Sequence, residues 1–156
     1  MLELSLIECV FRLIPESFLM ILSIYIFSKT EIDKKNYLKA SLALVILIFV
    51  VRKLPINYGV HTIVCMIITI CTISYISNID MVMGIKGTII SYIFLFICEG
   101  INLFILKLLF NDQIETILNN NNLKTLFAMP SLIIFIIILY IFYKIIKKGK
   151  KLSYDK

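Results

Sequence analysis

Ionisable residues set inside apolar runs are the groups in this sequence whose type and spacing bear most on chemistry. Glu8, Arg12 and Glu16 recur every four residues. That spacing stacks them on one face of a helix, lets the guanidinium bridge both carboxylates and leaves a net negative stripe. Glu99 stands in a later apolar run. Charge at membrane depth is costly unless it is paired or hydrated, so such residues mark either a site or a structural network. Counting about 1.5 Å per residue from the helix ends puts Glu16 and Glu99 at similar depth near the membrane midplane. There they can share a proton, or a cation such as Arg12. Arg52 and Lys53 end a second apolar run, and His61 begins a third. If these faces pack together, Glu8, Arg12, Arg52, Lys53 and His61 line a polar, outward-open pocket floored by Glu16 and Glu99. Glu8, Arg12, Glu16, His61 and Glu99 are therefore the candidates for ligand or ion binding, with a purely structural network as the competing role. For Arg52 and Lys53 the simpler role is anchoring at the outer interface. For His61 it is a polar position at a helix start.

His61 and Cys65 form a second constellation, four residues apart on one helix face. A cysteine peptidase needs a thiolate within hydrogen-bond reach of an imidazole that a third group orients. No third residue is evident here, and no cation other than His61 lies near Cys65. No HExxH, GxSxG or GxxxxGK[ST] pattern occurs. The single histidine argues against a histidine-based metal site. No cofactor, metal or catalytic activity is expected.

The elements that must position these residues are membrane spans. Of the 156 residues, 60% are apolar, and the mean hydropathy is +0.98. A soluble core cannot hide that much apolar surface behind so little charge. A span needs about 20 residues, which leaves room for about five. The apolar runs predict spans over Leu4–Ser28, Tyr37–Leu54, Val60–Ile76, Met83–Phe110 and Leu126–Tyr143. They are too long for barrel strands and lack alternation, so the expected class is all-α, a polytopic membrane helix bundle. Pro15 should kink the first span. Pro55, Asn57 and Gly59 predict a tight turn. The polar stretch Asn111–Lys124 reads equally as a loop or a short interfacial helix. Residues 1–147 form one transmembrane domain, and 148–156 a basic cytoplasmic tail. No cleavable signal is expected, because the N-terminus lacks a basic region and the first run carries Glu8, Arg12 and Glu16.

Charge placement sets the expected orientation. Six of the sixteen basic residues (Lys144, Lys147, Lys148, Lys150, Lys151, Lys156) crowd the C-terminal end. This pattern fits an anchor at an anionic leaflet better than a nucleic-acid patch, because no nucleic-acid-binding domain accompanies it. With five spans and a cytoplasmic C-terminus, Lys29, Lys34, Lys35, Lys39 and Lys86 join the six on the inside. Arg12, Arg52, Lys53, Lys107 and Lys124 fall outside, so the bias is eleven to five in favour of an outside N-terminus. The four cysteines, Cys9, Cys65, Cys71 and Cys98, lie in apolar runs without CxxC spacing. They read as small hydrophobes.

The run RLIPESF from Arg12 to Phe18, the run LPINYGVHT from Leu54 to Thr62 and the later Glu99 resemble a membrane region common in Firmicutes. That region is the sensor portion of some accessory-gene-regulator-like histidine kinases, and it also occurs without a kinase. The resemblance covers about residues 5 to 110, with Pro15, Glu16, Pro55, Gly59, His61 and Glu99 as its pattern positions. It implies an outward-facing, multi-pass sensor in the cell membrane that passes a signal to the cytoplasm. The phosphoacceptor helix and ATP-binding domain of such kinases have no counterpart in the sequence. The expected function is therefore a sensor-like module acting on a ligand, a membrane protein partner or a kinase. The alternatives are a small transport subunit using the midplane carboxylates and, less favoured, a membrane cysteine peptidase. The last resembles the accessory-gene-regulator processing enzymes in size, but its His-to-Cys spacing is wrong for them.

Overall fold

A computed structural model describes residues 9–54, 58–110 and 121–154. Among the described residues five α-helices run up and down: α1 (Ile14–Phe27), α2 (Lys34–Arg52), α3 (Tyr58–Ile76), α4 (Met81–Leu109) and α5 (Asn121–Tyr154). No strand occurs among the described residues. One end of the bundle carries the start of α1, the end of α2 and the start of α3, and is called here the Arg52 end. The other end carries the α1–α2 and α3–α4 connections and is called the Lys29 end.

A π-helical turn, Cys9–Leu13, leads into α1, and Pro15 follows at the second position of the α-helix. Proline has no N–H, and its ring clashes with the carbonyl four residues earlier. A wider turn ahead of it relieves both constraints. The kink expected in a continuous span thus takes the form of a local widening. Leu4 to Glu8, the rest of that expected span, lie outside the described residues.

α1 with its leading turn (Val10–Phe27), α3 (Gly59–Ile76), α4 (Met81–Leu109) and part of α5 (Leu126–Lys147) are each long and apolar enough to cross a membrane. The chain is a multi-pass membrane protein. α2 packs on α1 and α3. It is uncharged from Ala40 to Val51, with Lys34, Lys35 and Lys39 at one end and Arg52 at the other. Asp33 caps its start, its carboxylate accepting from the Lys35 backbone N–H at 3.1 Å. Ile46, Ile63, Phe104 and Ile133 are each more than half exposed. Such side chains around the whole circumference are what lipid solvates and water does not.

α1 lies at the centre, packed on α2, α4 and α5. Its register against α4 is antiparallel and fixed at three levels. Arg12 meets Glu99, Ser23 donates to Ser91 at 2.6 Å, and Gly87 lies under Ile24. A Cβ on Gly87 would stand 3.0 Å from Ile24 Cγ2 and 3.3 Å from the Ile24 carbonyl oxygen. Small residues let two backbones approach, which is how spanning helices pack when lipid competes for apolar surface. Ser17, Ser41, Thr69, Thr72 and Ser91 each donate to the carbonyl four residues earlier. Their hydroxyls are thereby satisfied without water.

α5 passes through Pro130 without ending and continues to Tyr154. The segment from residue 148, expected as a basic cytoplasmic tail, is helical as far as Tyr154 and belongs to α5. Lysine is a good helix former, and positive charge is favourable at a helix C-terminus. Of the expected polar connector, 121–124 belong to α5, and 111–120 lie outside the described residues, as do Pro55 and Asn57.

Candidate functional site

Four of the intramembrane charges meet near the Arg52 end. An Nη of Arg12 donates to Glu99 Oε1 at 2.6 Å. The Nε of the same side chain lies 3.7 Å from Glu16 Oε2. That oxygen is 3.4 Å from an Nη of Arg52. The arginine of α1's leading turn therefore bridges the carboxylates of α1 and α4, and α2 adds a second guanidinium. Two arginines against two glutamates make a formally neutral set. All four side chains are partly buried, between 18% and 30% exposed. Charge-assisted bonds are stronger than neutral ones, and each carboxylate here has a guanidinium in reach.

The helices dictate this meeting. Arg12 and Glu16 are one turn apart on a single face. Glu99 faces them because the α1–α4 register set by Ile24 against Gly87 brings the twelfth residue along each helix together. The two carboxylates share a depth, since Arg12 touches both. Along α4 that position is off-centre. Glu99 stands about 27 Å along α4 from Met81 and about 15 Å from Leu109. Arg52, the last residue of α2, turns inward to Glu16. Its neighbour Lys53 instead lies over the Phe49 ring, 4.5 Å from the centroid, as an interfacial lysine does. The two adjacent cations expected to anchor alike thus do different things.

The remaining candidates divide. Glu8 lies outside the described residues. His61 sits on α3 with its Nε2 3.6 Å from Cys65 Sγ, the side-by-side contact that an i, i+4 spacing permits. Cys65 is buried, and Thr69, one turn on, donates to its carbonyl at 2.7 Å and lies 3.4 Å from the Tyr92 hydroxyl of α4. Cys65, Cys71 and Cys98 form no disulfide. No group of three metal-ligating side chains occurs among the described residues.

Besides Thr69 to Tyr92 and the Tyr37 hydroxyl donating to the Phe18 carbonyl at 3.2 Å, two polar contacts between helices were missed in the sequence because they involve uncharged residues. One is Ser23 to Ser91. The other is Asn102, buried on α4, whose Nδ2 donates to the Phe127 carbonyl of α5 at 2.8 Å. An amide within an apolar run is a usable signal, as costly to leave unpaired in lipid as a hydroxyl. Protein-family models, curated proteins and solved structures give no match to this chain.

What the set can do chemically follows from its pairing. A metal or ammonium ion approaching Glu16 or Glu99 competes with a guanidinium, and an anion approaching Arg12 competes with a carboxylate. The four groups work as a fastener joining α1, α2 and α4.

Proposed function

We propose that this chain is a sensor-like or partner-binding module of a bacterial cell membrane, acting through helix packing and catalysing no reaction itself. The observation that carries this is the engagement of Glu16 and Glu99 by guanidinium groups from two different helices. Carboxylates already joined to arginines bias which helix arrangement is populated, and a partner or ligand that shifts that arrangement is read at the far end. The N-terminus is placed outside and the C-terminus in the cytoplasm, on the lysine and arginine bias of the connectors. The partner is a second membrane protein, with a kinase as the natural candidate given the resemblance of Arg12–Phe18 and Leu54–Thr62 to kinase sensor regions.

Two measurements on the purified chain in liposomes test this. Spin labels at Val10 and Leu109 should move apart in Glu99→Gln, while labels at Lys34 and Met83 keep their separation. Under imposed proton, sodium or potassium gradients the parent should carry no flux above that of empty vesicles. A flux that Glu99→Gln abolishes would overturn the module in favour of transport.

A further inference from the structure

At the Lys29 end, a cavity of about 390 Å³ opens between the end of α1, the α1–α2 connection and α5. Lys29, Glu31 and Lys147 line it together with Ile26, Ile32 and Ile146. Two of the segments long and apolar enough to cross a membrane end beside it, one at Phe27 and the other at Lys147. The end of such a segment is where a headgroup boundary would lie. Neither lysine has an ion-pair partner among the described residues. Apolar walls below two such cations match the anatomy of an anionic amphiphile, and basic pockets between spanning helices are known lipid headgroup sites.

A second observation singles out Lys29. α1 ends with the Thr30 N–H donating to the Tyr25 carbonyl and the Lys29 N–H to the Ile26 carbonyl, both at 3.2 Å. This reverse turn puts Lys29 in the left-handed region, at φ 56°. Glycine is the usual residue there, because a Cβ is disfavoured in that conformation. A lysine thus stands where glycine would be more stable, and it lines the cavity.

We propose that this cavity binds an anionic phospholipid, with the headgroup phosphate between Lys29 and Lys147 and the upper acyl chain along Ile26, Ile32 and Ile146. The net charge of the lining, two lysines against Glu31, favours an anionic over a zwitterionic headgroup. The volume falls in the range of about 300–1,000 Å³ typical of ligand sites. It accommodates a headgroup and the first methylenes, with the rest of the chain in the bilayer. The site is independent of which end faces the cytoplasm and of the arginine–glutamate set.

The test is thermal unfolding of the full chain in neutral detergent, titrated with phosphatidylglycerol or phosphatidylcholine. Phosphatidylglycerol should raise Tm saturably and phosphatidylcholine should not. In Lys29→Gln/Lys147→Gln the midpoint of the titration should move to roughly thirtyfold higher lipid. Lys144→Gln should titrate like the parent, since that lysine lies over the Tyr140 ring and away from the cavity. Glu31→Gln should titrate at lower lipid. Lys29→Gly separates binding from folding, since it should raise Tm without lipid and still weaken the response to phosphatidylglycerol. Equal responses to the two lipids, or a parent-like titration in the double variant, would overturn the site. Glycerol phosphate giving the whole shift by itself would replace the lipid with a soluble phosphate.

Discussion

At the Arg52 end of the bundle two guanidinium groups meet two carboxylates across three helices. At the Lys29 end, Lys29 and Lys147 line a cavity that also holds Glu31, with no ion pair among the described residues. The first arrangement is neutral, partly buried and satisfied from within. The second carries an excess of one positive charge and lies at the ends of two apolar segments. Paired charge of the first kind holds helices in register and repels neither sign of solute. Unpaired charge of the second kind is exposed to whatever the membrane surface offers. The pairing of a charge, more than its presence, tells which end fastens and which end recruits.

The largest effect expected from breaking this contrast is at Glu99. Replacing it with leucine leaves Arg12 without its 2.6 Å partner. That should cost about 2–3 kcal/mol of stability, less than for a fully buried pair because both side chains retain some exposure. Arg12→Leu/Glu99→Leu should cost less than the sum of the single changes, and a double-mutant cycle by reversible unfolding in bicelles measures the coupling. Additivity would mean that the fastener fastens nothing. Next is Gly87→Ala, at the close approach to Ile24. The same unfolding assay should show a loss of about 1–2 kcal/mol. Because this crossing belongs to neither end, it gives the scale for simple packing damage. At the other end the sign reverses, and Lys29→Gly should stabilise the lipid-free protein by about 1 kcal/mol. The smallest effect is Lys147→Gln in lipid-free detergent, expected to lie within about 0.5 kcal/mol of the parent. A large loss there would mean that Lys147 is structural and the two ends are alike.

The class of fold was legible because long apolar runs in a chain this rich in them have few other destinations. Glu16, Arg12 and Glu99 were legible as a group for a related reason, since charges in such runs must find one another. Arg52 was harder to place. A terminal arginine and a terminal lysine look alike in sequence, and only the packing of α2 against α1 turns Arg52 to Glu16 while Lys53 stays on Phe49. The Lys29 cavity was not legible. It depends on α5 coming to lie beside the α1–α2 connection, a proximity of residues more than a hundred positions apart in the chain. Nor was the left-handed turn at Lys29, because lysine gives no signal for it. The continuation of α5 through the basic tail was obscured by composition. Charge marks where an apolar run stops, but it says nothing about where a helix stops.

The contact of Ile24 with Gly87 also constrains how the bundle can move. A piston stroke of α1 along α4 would have to drive Ile24 over the backbone beside Gly87 and break the Ser23–Ser91 and Arg12–Glu99 bonds together. A swing of α1 about that same contact leaves it intact, since it lies at the fulcrum. The Arg12–Glu99 pair, twelve residues up each helix, is about 18 Å along the lever. A small rotation at the crossing would therefore be magnified where the carboxylates are.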